Sequence, residues 1–359
     1  MNNFGYCISM DWYRADSNGF WAQCPLTGRV VQGEGNRGLR YKVQVSQKQG
    51  CLFCPGQEES QLPEVTRLQG GSFADFLDIQ SLGHEWSVRV FPNLFKGGGI
   101  GSKDLVQDWK AKYRSEEGQQ YIDQLLERLK EKGLPVGEDY LFDLSHMVIV
   151  GTPEHKSDLN QEEAGLEFLA AVHARNLAYQ DEKVVFGCIY KNQGKAAGAT
   201  QEHEHVQLRC YTELPPRLSF QVSSLIKNPG LMEQVTDFAR IKDWVISDKD
   251  NQVSFVVPWE EEPAVWLVYK GLEASLEELG EVGLLRLSGG LQTIIAGLKK
   301  LGYSDYNYAW FDSSRLGVKM PIHAKIVTRK KVRGGSDIFL GPEKHYVRPE
   351  SLAEVLRNA

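Results

Sequence analysis

The chain has 359 residues, 42% hydrophobic and 25% charged, enough for two domains or one duplicated domain, each with its own core. No stretch approaches the ~18 consecutive apolar residues of a membrane helix, and Met1 to Asp11 lacks the basic-then-apolar pattern of a secretory signal, so a soluble, cytoplasmic protein is expected. A formal net charge of −6 argues against a general binder of nucleic acid or anionic membrane, and six cysteines, of which only Cys51 and Cys54 are closely spaced, do not make a disulfide framework.

The first fifty residues mix aromatics, glycines and charges with little periodicity, although Pro25-Leu-Thr-Gly-Arg29 before Val30-Val31 predicts a turn entering a short strand. Cys51-Leu-Phe-Cys54-Pro-Gly follows. Two cysteines two residues apart in a turn present two thiolates to zinc, with a thioredoxin-type redox pair as the competing reading. The redox motif should open a helix, and Pro55-Gly56 is a poor helix start, so metal is favoured provided two more ligands exist. Ser87 to Phe91 reads as a strand ending in Pro92-Asn93. The run Lys96-Gly-Gly-Gly-Ile-Gly-Ser-Lys103 lacks the Gly-Lys-Ser/Thr ending of a phosphate loop and reads as a mobile loop.

Residues 115–133 place Tyr121, Leu125, Leu126 and Leu129 on one helical face. His146 to Thr152 reads as a strand, and Asn160 to Tyr179 as an amphipathic helix starting at an Asn cap. His155 falls in the loop between them, where a histidine on its own is more often a surface residue than a ligand. Val184 to Tyr190 is a strand rich in β-formers, followed by a loop of small residues, Gly194 to Ala199, and then His203-Glu-His205-Val-Gln207. Alternate strand residues share a face, so His203, His205 and Gln207 line one wall while Glu204 and Val206 point away. A neutral imidazole can attack phosphorus or bind a metal, and an amide can hold a phosphate oxygen without adding charge. Cys188 and Cys210 lie in predicted strands and read as small buried hydrophobes.

Leu214 to Asp250 reads as a connection that includes a helix broken at Asn228-Pro229-Gly230. Strands at Val253–Val257 and Ala264–Tyr269, a helix from about Leu276 to Leu301, and strands at Tyr306–Phe311 and Ile322–Thr328 then repeat the earlier order. A shift of 118 lays Met147–Val150 on Val265–Val268 and His205 on His323, an internal repeat that divides the chain into residues 1–213 and 214–359. The second copy has Pro321 for His203, Lys325 for Gln207 and Glu273 for His155, so only the first half keeps the constellation. Arg329, Lys330, Lys331 and Arg333 form a basic cluster that suits either a phosphorylated ligand or a solvated loop.

Pro25-Leu-Thr-Gly-Arg29, Cys51-x-x-Cys54-Pro-Gly, Arg89-Val-Phe-Pro-Asn93, Pro153-Glu-His155, the Asn192 loop with His203-x-His205-x-Gln207, and Val253 to Trp259 occur in the order seen in galactose-1-phosphate uridylyltransferases. The chain resembles that nucleotidyltransferase branch of the histidine-triad superfamily from about residue 20 to 350, most strongly in the first half. The resemblance implies an α+β fold, a duplicated histidine-triad-like domain with antiparallel sheets flanked by helices. It implies that Cys51, Cys54, His155 and His203 form a closed, structural zinc set.

For chemistry, the resemblance makes His205 the nucleophile towards the α-phosphate of a nucleotide sugar, with a covalent nucleotidyl-histidine and ping-pong turnover. Gln207 would hold a non-bridging phosphate oxygen. Asn192, Thr200 and the backbone at Gly198 would surround the phosphates, Asn93 would contact the nucleoside, and His323 would add a ligand contact from the second half. A second metal site found in some members is expected to be absent, because only His323 remains of its histidines. The family's usual His-Pro-His-Gly-Gln is here His-Glu-His-Val-Gln, Leu94 follows Asn93, and Ser336–Glu343 departs from the usual hexose segment. The implied partners are a nucleotide sugar and a sugar 1-phosphate or phosphate, and a second copy in a homodimer. The leading expectation is exchange of a nucleoside monophosphate between sugar 1-phosphates, of the UDP-glucose/galactose 1-phosphate type. The alternatives are a phosphorylase of ADP-sugars or dinucleoside polyphosphates, and a non-catalytic, zinc-stabilised binder of nucleotide sugars.

Overall fold

The computed structural model describes residues 50–329, apart from residues 84, 96–98, 135–136, 259 and 261, together with residues 348–359. Before residue 50 it describes the backbone of three strands, β1 (Tyr13–Asp16), β2 (Gly19–Gln23) and β3 (Val30–Glu34), paired in a small antiparallel sheet. The turn expected at residues 25–29, most of the basic cluster (residues 330–333), the segment 336–343, Trp259, and residues 96–98 of the glycine run lie outside the described residues.

The remaining strands make one large sheet. The hairpin β4 (Thr66–Gln69) and β5 (Ser72–Asp75) turns through Gly70 and Gly71, whose φ of +56° and +83° suit glycine. Then come β6 (Val88–Pro92), the helices α1 (Lys103–Ala111), α2 (Glu116–Glu131) and α3 (Glu138–Leu141), and β7 (His146–Val150). Helix α4 (Gln161–Ala178) leads to β8 (Phe186–Gln193) and β9 (Val206–Tyr211). Helices α5 (Pro216–Lys227) and α6 (Leu231–Ile241) precede β10 (Val245–Lys249), β11 (Gln252–Val257) and β12 (Ala264–Tyr269). Helix α7 (Gly280–Lys300), β13 (Tyr306–Phe311), β14 (His323–Thr328) and α8 (Pro349–Arg357) complete the chain.

The eleven strands lie in the order β10-β11-β12-β14-β13-β8-β9-β7-β6-β4-β5, every pair antiparallel. Around the β13/β8 seam the order is palindromic: β8, β9, β7 and β6 on one side match β13, β14, β12 and β11 on the other. The repeat seen in the sequence is therefore an architectural duplication. Its two antiparallel sheets are fused edge to edge, because β13 and β8 pair from Tyr306↔Gln193 to Ala309↔Tyr190. Pairing through backbone groups also removes two exposed edges.

Helices α2 and α4 form where their periodicity predicts. Asn160 and Glu163 make a reciprocal capping box on α4, and Ser115 caps α2, whose Tyr121, Ile122, Leu125 and Leu129 are buried. Helices α4 and α7 pack on one face of the sheet over Met147, Ile149, Val206, Leu208, Leu267 and Ile326. On the opposite face, α5 and α6 cover the second half through Leu218, Val222, Leu225 and Met232 against Phe255 and Trp266. Over the first half that face carries Cys51, Phe53, Trp86, Phe91, Val148 and Val150. The two halves are also pinned by a buried ion cluster, in which Arg175 of α4 meets Asp312 at 2.6 Å and Glu277 at 2.8 Å.

Candidate active site and metal centre

The segment Cys51–Gly56 is a run of turns lying against β6 and β7. Its two thiols converge with two imidazoles from elsewhere in the chain. Cys51 Sγ lies 3.5 Å from His203 Nδ1, and Cys54 Sγ lies 3.4 Å from His155 Nδ1 and 3.6 Å from His203 Nδ1. The four ligand atoms all fall within 4.8 Å of one another, so the cluster could hold a metal ion. Its electronic state suits that use. His203 Nε2 sits 2.9 Å from the carbonyl of Thr152 and donates its proton there, which leaves Nδ1 as the lone-pair nitrogen facing the thiols. Burial, its largest perturbation, lowers the pKa of His203 and favours the neutral ring that a metal requires. Two thiolates with two imidazoles form a closed complement of the structural type.

His203, Glu204 and His205 run extended just ahead of β9, which begins at Val206. The alternation expected of a strand persists through this entry. Glu204 turns to the helical side, where it pairs with the buried Lys191, while His205 and Gln207 occupy the other face. His205 Nδ1 is 2.9 Å from the carbonyl of His203, so Nδ1 carries the proton and Nε2 the lone pair. The Phe53 ring stands edge-on to His205, with ring centroids 5.1 Å apart, joining the metal segment to this imidazole.

Gln207 is buried, and its side-chain oxygen lies 3.0 Å from His146 Nε2 and 2.9 Å from the Tyr190 hydroxyl, which donates to it. Sequence reasoning missed both neighbours. His146 opens β7 on the face shared with Val148 and Val150, but only the register Val148↔Gln207 reveals that it is diagonal to Gln207. Asn93 is buried just after β6. Its Oδ1 accepts from the Phe95 amide at 2.9 Å, and its Nδ2 lies 3.5 Å from His146 Nε2.

The loop from β8 to His203 carries the other expected contacts. Asn192 is half-buried and Oδ1 accepts from Asn307 Nδ2 at 2.8 Å, while Gly198 (φ +85°) and Thr200 are exposed. Asn307, on β13, also donates to the carbonyl of Ala197 at 2.9 Å and accepts from Arg329 Nε at 2.6 Å. Asp305 accepts from the Ala196 amide at 2.7 Å. Arg329, the described member of the basic cluster, thus braces this loop from behind.

His323 is placed apart from these residues. It is fully buried, stacked on Phe311 with ring centroids 5.2 Å apart, and its Nε2 faces Gln221 Nε2 of α5 at 3.4 Å. Contact with a ligand at His323 therefore requires α5 to yield. Cys188 and Cys210 are the inert thiols expected, both pushed up to about 12 by burial.

Together, the fold and the site define a duplicated histidine-triad-type protein with a Cys/His cluster beside its His-x-His-x-Gln strand. No protein-family model matches the chain. Among curated proteins it is similar to an ADP-glucose phosphorylase from Arabidopsis thaliana, 25% identical over 326 residues that span 86% of this chain and 81% of that one. Among solved structures it is similar to a GalT-like protein from Arabidopsis thaliana, with a TM-score of 0.60 and 23% identity over 94% of this chain and 98% of that one. The crystal structure of an ADP-glucose phosphorylase from Arabidopsis thaliana with bound ADP-glucose matches with a TM-score of 0.60 and 22% identity, over the same 94% and 98%. A uridylyltransferase mutant matches at 0.63 and 18% identity, over 94% and 97%. In architecture and motif order the chain resembles proteins of the galactose-1-phosphate uridylyltransferase family. No described helix is long and apolar enough to cross a membrane.

Proposed function

We propose that the protein transfers a nucleoside monophosphate from a nucleotide sugar to a phosphate acceptor through a covalent intermediate on His205. The observation that carries this reading is the hydrogen bond from His205 Nδ1 to the His203 carbonyl at 2.9 Å, because it fixes the tautomer with a nucleophilic lone pair on Nε2. Nε2 attacks the α-phosphorus, and the bond from that phosphorus to the bridging oxygen breaks. A sugar 1-phosphate then leaves with the electron pair. An oxygen of the acceptor next attacks the same phosphorus, breaking the N–P bond and regenerating His205. Gln207 donates an amide N–H to a non-bridging oxygen in both half reactions.

The similarity to an ADP-glucose phosphorylase along most of the chain favours an ADP-sugar as donor and inorganic phosphate as acceptor. Cys51, Cys54, His155 and His203 are assigned to zinc, which would tie the N-terminal turn to the entry of the catalytic strand. Asn93, Asn192, Gly198 and Thr200 are assigned to substrate, and residues 1–213 and 214–359 to the two copies of the domain. Incubation with ADP-glucose or UDP-glucose followed by intact-mass analysis should show addition of AMP or UMP to the protein. Discharge by inorganic phosphate supports the phosphorylase reading, and discharge only by galactose 1-phosphate would restore sugar 1-phosphate exchange. Absence of any adduct would leave a binding protein.

A further inference from the structure

Gln207 could face a phosphate with either end of its amide, and only the nitrogen end is useful there. An oxygen aimed at a phosphoryl group would repel it, so something must decide the flip. From the Tyr190 hydroxyl (2.9 Å) and His146 Nε2 (3.0 Å), both beside Gln207 Oε1, we propose that His146 and Tyr190 are positioning residues that lock the Gln207 amide with its N–H groups towards the phosphoryl group carried on His205. The inference rests on the function proposed above.

The protons can be assigned consistently. A carbonyl oxygen only accepts, so the Tyr190 hydroxyl spends its single proton on Gln207 Oε1. Tyr190 Oη is then an acceptor towards His146 Nε2, 3.1 Å away. With the proton on Nε2, the imidazole donates to Gln207 Oε1 and to Tyr190 Oη together, and Asn93 Nδ2, at 3.5 Å the longest of the three contacts, makes no hydrogen bond to it. The opposite tautomer would give Gln207 Oε1 one donor in place of two, and a flipped amide would set its own N–H groups against the Nε2–H of His146. All three side chains stand on neighbouring strands of one sheet, in the order β8, β9, β7, so the backbone ladder holds the triangle. His146 and Gln207 are buried, where an electrostatic preference of this kind is least screened. The amide is thereby pre-organised before substrate arrives, and it need not reorganise as charge develops on the phosphoryl oxygens.

The test is a double-mutant cycle read as the rate of nucleotidyl transfer to His205, using ADP-glucose and UDP-glucose as probes in rapid-quench intact-mass measurements. Tyr190→Phe and His146→Leu should each slow adduct formation about two- to tenfold, the size of one net hydrogen bond. His146→Gln, which keeps an N–H donor, should recover most of that loss. In a Gln207→Ala background, neither Tyr190→Phe nor His146→Leu should slow the reaction further. Tyr190→Phe removes one oxygen from a half-buried ring and decides the matter if His146→Leu fails to fold. Equal slowing with and without Gln207 would overturn the positioning role while leaving the proposed function standing. No adduct on the wild type from either probe would overturn both.

Discussion

Cys51→Ser removes one sulfur from a four-residue cluster that, with the proposed zinc bound, would staple residue 51 to residue 203 across 152 positions of chain. Closing a loop of that length costs the unfolded chain about (3/2)RT ln n, or about 4 kcal/mol, which a bound metal supplies from its ligand bonds. Loss of the metal therefore returns up to about 4 kcal/mol. With an unfolding entropy of about 2.1 cal/mol/K per residue, the 359-residue chain would melt about 5–6 °C lower. Elemental analysis should find about one zinc per wild-type chain and a markedly smaller content in Cys51→Ser. Thermal unfolding should show the shift, and EDTA should lower the wild-type Tm while leaving the variant unmoved. A metal-free wild type with full stability, or a Cys51→Ser protein that keeps its zinc and melts with the wild type, would refute the staple.

Three further outcomes are expected. His205→Gly should form no adduct from ADP-glucose or UDP-glucose, yet transfer from a nucleoside phosphorimidazolide to phosphate or a sugar phosphate should return, because the reagent supplies the missing ring. A folded His205→Gly protein that still labels from a nucleotide sugar would disprove the assignment. Gln207→Ala should retain the adduct but form and discharge it about 10²–10³-fold more slowly, the usual loss for one oxyanion donor; unchanged rates in rapid quench would remove Gln207 from the chemistry. His323 should govern stability against pH, since burial first and Lys325 second push it down to about 3, against about 6.5 in the unfolded chain. Between those values the unfolded chain binds a proton that the folded chain refuses, so stability falls as pH drops, by about 1.4 kcal/mol per unit from this group. Urea unfolding at pH 7 and pH 5 should show about 2 kcal/mol less dependence in His323→Phe, which should still form the adduct; an unchanged pH slope would contradict the burial.

Much of this architecture is legible in the chain because its long elements carry clean periods. The helices expected at 115–133, 160–179 and 276–301 form at Glu116–Glu131, Gln161–Ala178 and Gly280–Lys300, and the 118-residue shift predicts the matched strands β7 and β12. Short elements escaped. The hairpin of β4 and β5 alternates weakly, with Thr66, Arg67 and Leu68 all buried, and Arg67 is accommodated by its bidentate pairing with Glu64 and a hydrogen bond to the Ser81 carbonyl. The connection at 214–250, expected to include a helix broken at Asn228-Pro229-Gly230, holds α5 and α6 on either side of that break and also the edge strand β10, which Asp250 and Asn251, both at positive φ, turn into β11. At the site, local spacing could pair His203 with His205. It could not bring in His146 or Asn307, whose places are set by strand register between segments 61 and 115 residues apart.

On the proposed assignment, duplication lets one half keep chemistry and the other keep structure. His323 Nδ1 hydrogen-bonds the Pro321 carbonyl at 2.8 Å, the same tautomer lock that His205 makes with His203 at 2.9 Å. The surroundings differ. Lys325, where Gln207 stands in the first copy, donates to Gln221 Oε1 at 3.0 Å, and Gln221 presents its amide nitrogen to His323 Nε2 at 3.4 Å. Helix α5 thus engages the lone pair of His323, whereas the chemistry proposed for the first copy needs Nε2 of His205 to reach phosphorus. An imidazole with the right tautomer is consequently insufficient; an approach to Nε2 and a donor for the phosphoryl oxygens are also required. Freed from those demands, the second copy serves the first. Asn307 and Asp305 hold the loop from Asn192 to Ala197, and Gly194 (φ +81°) lies so close against the Asp305 carboxylate that a Cβ there would collide with it. The loop of the first half proposed to face phosphate is therefore built on a strand of the second, so separating the halves would remove that loop's support even with His205 and Gln207 intact.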